Sequence, residues 1–210
     1  MSAAIGFDPV RERILQAFSD KATRSGLRAV VMAELASELR MSATTLYKHF
    51  SSKEELVLNL VERWVLELAA AEAVTEDRPE IRTPLDRVRH WAEVWSASMS
   101  ALSVAFIQDL ERDYPAAWTL FTEGIEERKR VGAALLRPLL KPELHAEVAL
   151  EMLSMALARV ADPWVADRMG TSRSEAIQTA VSVWASGAIA GEGHPRPVRA
   201  VRRNRRGERG

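Results

Sequence analysis

The sequence predicts an all-α protein, with a small N-terminal helical bundle, a larger C-terminal bundle and about nine helices. Three observations predict it. Apolar residues recur at helical spacing along almost the whole chain. Prolines fall at the starts and stops of the periodic segments, not inside them. Alternating apolar and polar runs are nearly absent, and Arg28-Ala29-Val30-Val31-Met32 is the one short β-tolerant stretch.

Asp8-Pro9 reads as an N-cap followed by Pro at the first helical position. Leu15, Phe18 and Ala22 then repeat at helical spacing, and Gly26 ends the helix. Two short helices follow, over 33–39 and 43–50. Ser52-Lys-Glu-Glu55 spells a capping box that opens a longer helix to about Ala73, with Leu56, Leu60, Trp64 and Leu68 as its apolar stripe. Thr75–Thr83 is polar and reads as a loop. Thr83-Pro84 caps a helix over 84–102. Another spans about 103–113, and Pro115 opens one running to about Leu136. Pro138 and Pro142 bracket a loop, and the next helix is expected over 142–161. Ser172-Arg-Ser-Glu175 is a second capping box, opening a last helix to about Ala190.

Composition narrows the function classes. Of 210 residues, 47% are hydrophobic and 28% charged, enough apolar content for a real core and too much for a disordered chain. No cysteine is present, which removes disulfides, thiolate metal sites and Cys nucleophiles. Four histidines leave little for a metal site; the pair His90 and Glu93 has no companion element. No Gly-rich phosphate loop or Ser-x-x-Lys nucleophile occurs, so an enzyme, a metal and a cofactor are not expected. No apolar run reaches the length of a membrane span. The start, MSAAIGFDPVRERIL, lacks a basic region followed by an apolar stretch, which predicts a cytoplasmic chain without a signal peptide. A net charge of zero conceals an uneven distribution. Residues 56–195 hold 14 Lys/Arg against 21 Asp/Glu, while residues 196–210 hold 7 Arg against Glu208. Neutrality overall therefore says nothing against a nucleic-acid partner, because binding depends on the local patch.

The most informative stretch is Val31–Phe50. Leu35, Ala36 and Leu39 fit a short helix, and Ala36 is small where a second helix must cross closely. Arg40-Met41-Ser42 is a tight connection. Ser42 can cap the next helix, whose Leu46 and Phe50 lie at i and i+4 on one side. Ala43, Thr44, Tyr47 and Lys48 then face outward, with Thr45 and His49 near the edges. This is a helix-turn-helix, whose second helix can enter the DNA major groove. The outward set is small, hydroxyl-bearing, aromatic and basic, as groove contact requires. Lys53 sits in the first turn of a helix, a poor place for a cation unless a phosphate is held there as well.

Gly26, Leu35-Ala36, Met41-Ser42, Thr45-Leu46-Tyr47-Lys48-His49-Phe50 and Ser52-Lys53-Glu54-Glu55-Leu56 together resemble the TetR family of transcriptional regulators, without gaps from Gly26 to Leu56. The resemblance implies a homodimer, a nine-helix fold and an effector-binding C-terminal domain, with repression as the commonest mode. It divides the chain into a DNA-binding domain over 1–52, an effector and dimerisation domain over 53–192, and a disordered basic tail over 193–210. Two departures stand out. Val31 replaces a common Thr that caps the second helix and touches phosphate. Arg40 replaces a common Gly in the turn; it is less suited to positive φ but offers a phosphate contact.

Six tryptophans are many for this length, and five fall in the C-terminal part. Trp91, Trp95, Met99, Phe106 and Trp118, with Phe121, Met152 and Met155, are the candidates to line an apolar pocket, and Arg159 to anchor a ligand. The expected effector is therefore a small apolar or amphipathic molecule; the alternative is a regulator without one. The helix over 142–161 carries two apolar rows. Leu150, Leu153 and Leu157, together with Ile177, Ala180, Val181, Trp184 and Ala188 on the last helix, are the candidates for an intersubunit four-helix bundle.

Overall fold

The computed structural model describes residues 8–73 and 81–190. Among them lie ten helices and no strand: α1 (Pro9–Ser25), α2 (Met32–Glu38), α3 (Ala43–His49), α4 (Lys53–Glu72), α5 (Pro84–Ser100), α6 (Val104–Asp113), α7 (Pro115–Leu136), α8 (Ala146–Val160), α9 (Pro163–Arg168) and α10 (Arg173–Ala188). Nine match the expected elements, and the six-residue α9 lies between the eighth and last of these, where no helix was expected. The Arg-rich tail over 193–210 lies outside the described residues, as does most of the polar loop after α4. No helix among the described residues is long and apolar enough to cross a membrane.

Local chemistry sets the helix ends. The Asp8 carboxylate accepts from the backbone N–H groups of Val10 (2.9 Å) and Arg11 (3.1 Å), with Pro9 at the first helical position. These bonds hold Asp8 below the usual carboxylate range. Ser172 and Glu175 form a complete capping box, and so do Thr83 and Asp86. The box expected at Ser52 forms only in its forward half. Ser52 accepts from the Glu55 N–H at 3.1 Å, but the Glu55 carboxylate turns to the Ser51 N–H (2.7 Å) and to Arg11 (2.9 Å).

One start is displaced. Residues expected to open the eighth helix at Pro142 form a turn, and α8 begins at Ala146. The backbone just before is already engaged. Lys141 donates to the Ala188 carbonyl (3.0 Å), and Ala190 donates to that of Leu139 (2.9 Å), pairing this segment with the end of α10. The segment is thereby held against the end of α10, and α8 begins only beyond it.

The core does not part at residue 52. One buried cluster joins Ile14, Phe18, Leu35, Leu46 and Phe50 of the head to Leu56 and Leu60 of α4, Phe106 and Leu110 of α6, and Phe121 of α7. A second joins Leu68, Trp91, Trp95, Leu136, Leu153, Leu157 and Val181 in the far half of the bundle. Helix α4 contributes to both, which makes it and α6 the physical connection between head and body.

Gly26 is required where α6 meets the head. Its φ is +90°, and a Cβ there would stand 2.8 Å from an Asp109 carboxylate oxygen. Asp109, nearly buried, accepts from the Arg28 N–H at 2.8 Å, and Asp113 accepts from the Arg28 guanidinium at 2.7 and 3.0 Å. The Ser103 N–H reaches the Thr23 carbonyl at 2.8 Å. Helix α6 is thereby stitched along its length to the end of α1 and the turn after it.

Candidate functional site

Helices α2 and α3 build a helix-turn-helix. Met32, Leu35 and Ala36 of α2 and Leu46 of α3 are buried against α1 and α4. Between them Met41 donates to the Ala36 carbonyl and Arg40 to that of Ser37, both at 3.0 Å, with Arg40 at φ +57°. That is a Schellman ending with arginine at the position glycine normally fills. Arg40→Gly should therefore raise stability by about 0.5–1 kcal/mol, as relief of the left-handed strain outweighs the added chain entropy. Urea denaturation tests it: an unchanged or lower midpoint would show that the Arg40 side chain compensates. At the other end of α2, Val31 provides no cap hydrogen bond, as its chemistry requires.

Helix α3 is capped by Ser42, which accepts from the Thr45 N–H at 3.0 Å and bonds the Thr45 hydroxyl at 2.8 Å. Ala43, Thr44, Tyr47 and Lys48 are exposed, Tyr47 by 46%, and none of their side chains has a hydrogen-bond or ion-pair partner among the described residues. Arg40 is exposed beside them. The edge residues differ. His49 is half-buried and its Nδ1 lies 3.0 Å from the Asp8 carboxylate, so it ties α3 to the start of α1. Lys53 is half-buried too, its ammonium donating to the Val30 carbonyl at 2.6 Å. Burial lowers its pKa, opposed by the carboxylates of Asp109, Glu54 and Asp113. Lys53 is thus engaged within the head, because the turn after α1 leaves a carbonyl within its reach.

Arg11 is a residue that spacing did not single out. It donates to the His49 carbonyl, to Glu55 (2.9 Å) and to Asn59 (3.1 Å), and its guanidinium lies 3.9 Å over the Phe50 ring. It locks the end of α3 onto α4 and so fixes the presented face.

In the body the aromatic residues divide into two groups and do not enclose one common cavity. Phe121 packs with Trp118 and with Trp64, at centroid separations of 5.8 and 5.1 Å. Phe106 and Phe121 border a void of about 40 Å³, room for a few waters at most. Trp91 and Trp95 stack at 6.0 Å, and Trp91 lies so close to α7 that a Cβ on Gly132 would meet its ring at 2.7 Å. Only Trp95, Met99 and Met155 of the expected lining share a sizeable cleft, of about 640 Å³. Met152 is 62% exposed and lies outside the lining of that cleft. Arg159 is exposed and borders a separate hollow with Val165 and Met169.

The two apolar rows of α8 exchange their expected places. Leu150, Leu153 and Leu157 are buried in the chain's own core, with Ile177, Val181 and Ala188. Ala180 and Trp184 are half-buried against that core, and the Trp184 indole N–H donates to the Ala149 carbonyl at 3.1 Å. The row left exposed is Leu144, Val148, Met152 and Met155, with Val183 exposed on α10. Periodicity shows that a helix has two apolar rows, but not which of them the intrachain neighbour takes.

A capped helix lying outward on a helix-turn-helix, with its hydroxyl, aromatic and basic groups unengaged, defines a DNA-binding protein of the helix-turn-helix class. Residues 15–60 match the model of the bacterial regulatory proteins, tetR family. The N-terminal part of the chain is thus similar to the TetR family of transcriptional regulators. It is 24% identical over 165 residues to the HTH-type transcriptional regulator YvaF of Bacillus subtilis (strain 168), covering 77% of this chain and 86% of that one. The fold is similar to that of a transcriptional regulator from Saccharomonospora viridis solved in complex with choline (TM-score 0.72, 17% identity, 87% of this chain and 98% of that one). It is also similar to the ketosteroid transcriptional regulator KstR2 of Mycobacterium tuberculosis (TM-score 0.64, 17% identity, 90% and 100%).

Proposed function

We propose that the chain is a cytoplasmic repressor that binds its operator as a homodimer and is released by a small amphipathic ligand. The observation that carries the DNA contact is the unengaged outward face of α3. Tyr47 and Thr44 read base edges, Lys48 and Arg40 neutralise phosphates, and Ala43 admits the helix closely to the groove floor. Thr45 and His49 position the helix. Two heads joined through the bodies read two half-sites, so a change in their relative placement weakens both engagements together. The stitching of α6 to the end of α1 connects the body to each head. Release requires that the ligand favour one placement over the other. The choline held by the Saccharomonospora viridis regulator, a protein of the same fold, supports an effector reading for the body.

Selection of bound duplexes from a random pool, followed by titration, tests the reading. Lys48→Ala should weaken selected and random duplexes alike and reduce the salt slope by about one. Tyr47→Ala should weaken the selected duplex about tenfold, equivalent to about 1.4 kcal/mol, with the melting temperature unchanged. Wild-type binding by both variants would remove α3 as the reading helix.

A further inference from the structure

The chain carries a second concentration of positive charge, apart from the reading helix. Seven arginines stand within residues 196–210, against Glu208 as the one acid. Every cation in the segment is arginine, whose planar fork matches phosphate oxygens and which is more weakly hydrated than lysine. The segment has no aromatic residue to stack on an unpaired base, and no Trp, Phe or Leu to enter a bilayer. Its chemistry suits a regularly charged backbone met from outside. Duplex DNA presents that, with about one phosphate per 1.7 Å of axis.

The fold fixes where this charge is attached. Ala117 and Phe121, in the first turns of α7, pack in the buried cluster shared with the head. Leu136, in the last turn of α7, packs in the far cluster with Ala188 of α10. The 22 residues of α7 put about 33 Å between its two ends. Just past that far end, the Ala190 N–H donates to the Leu139 carbonyl at 2.9 Å and the Lys141 N–H to that of Ala188 at 3.0 Å. The Lys141 ammonium donates to the Gly187 carbonyl at 2.6 Å. Ala190 is thus tied to the end of the body remote from the head. From there Arg196 and Arg199 can stand at most about 20 and 30 Å away, the span of a fully extended chain. Both fall short of DNA held under α3. The body between them is acidic: residues 56–195 hold 14 Lys/Arg against 21 Asp/Glu, a balance that repels a duplex.

We propose that the segment over 196–210 binds the phosphate backbone of a second duplex, at the end of the molecule remote from α3, so that one protein bridges two DNA segments. The bridge rests on the reading of α3 as the first DNA contact. The head supplies the sequence preference. The segment supplies none, because phosphate contacts carry no base information.

The test loads the full chain on a bead-bound selected duplex and offers a short labelled duplex of unrelated sequence in solution. Wild type should capture the labelled duplex, and capture should fall with salt at a log–log slope of about −6, as seven phosphate contacts require. Arg202→Gln, Arg203→Gln, Arg205→Gln and Arg206→Gln, combined in one chain of unchanged length, should weaken capture at least about tenfold and loading on the bead less than about twofold. Equal capture by this variant overturns the proposal, as does a wild type that captures nothing. Equal losses on the bead-bound and the labelled duplex would mean that segment and head share one duplex, and overturn the bridge. Vesicles of phosphatidylglycerol and phosphatidylcholine give the rival partner. Wild-type binding to them that is tighter per phosphate than to the duplex, and lost in the variant, overturns DNA as the segment's target. Failure of the α3 reading shows separately, since Tyr47→Ala and Lys48→Ala then load on the bead as wild type does.

Discussion

Asp109→Ala should destabilise the protein by about 1–3 kcal/mol, the cost of leaving a part-buried backbone N–H without its charged acceptor. Asp109 is 7% exposed and accepts from the Arg28 N–H at 2.8 Å, with Arg112 at 3.0 Å on its other oxygen. Among the described residues no other acceptor serves the Arg28 N–H, which sits in the turn between α1 and α2. Asp113→Ala is the control. It removes a pair with the Arg28 side chain, which is 58% exposed, and should cost much less. Chemical denaturation separates the two, and equal losses would mean that the buried N–H is solvated. Because Asp109 holds α6 against the head, the same variant should also blunt the response of DNA binding to ligand.

Most of the fold is legible in the sequence because its signals are local. Caps at Asp8, Ser42, Thr83 and Ser172, prolines at first helical positions, and the glycine after α1 each act within one turn of chain, and each appears where its chemistry puts it. The exception at Pro142 is instructive. The segment before the observed start pairs with the chain just after α10, 49 residues away (Leu140 to Ile189), and no local pattern reports that partner.

The outward face of α3 was equally legible, since Leu46 and Phe50 fix which side is buried and four residues follow on the other. The tertiary locks were not. Arg11 reaches His49, Glu55 and Asn59, and Arg28 reaches Asp109 and Asp113; each of these contacts spans more than 35 residues of sequence. Charged residues on amphipathic helices look alike until the fold selects their partners. The same limit explains the ligand and interface residues. Periodicity marks Trp91, Phe106 and Leu153 as apolar-face residues, but whether such a face meets a neighbour, a cavity or a second chain is decided by packing alone.

Stability should fall as pH rises from about 5 to about 7, and Glu72→Gln should remove that fall. Glu72 lies in the last turn of α4 with its side chain only 2% exposed. Burial raises its pKa from 4.5 to about 7, against the opposing effect of the Arg128 guanidinium at 3.2 Å. One carboxylate oxygen and the Arg128 Nε find no hydrogen-bond partner, so the pair is incompletely compensated. The folded chain therefore holds a proton that the unfolded chain releases near pH 4.5. The stabilisation is fully present below that pH and is lost as pH rises through the folded value. The difference corresponds to about 3 kcal/mol. Carboxylates with lowered pKa, among them Asp8, Asp86 and Asp113, contribute in the opposite sense at more acidic pH, and they are common to wild type and variant. The decisive quantity is thus the difference between the two unfolding free energies at pH 5 and at pH 8. Arg128→Met should push the decline above pH 7, because it removes the cation that holds Glu72 down. Parallel pH profiles for wild type and Glu72→Gln would show that water reaches the carboxylate, and a wild type that gains stability from pH 5 to 8 relative to Glu72→Gln would show instead that the ion pair outweighs its desolvation.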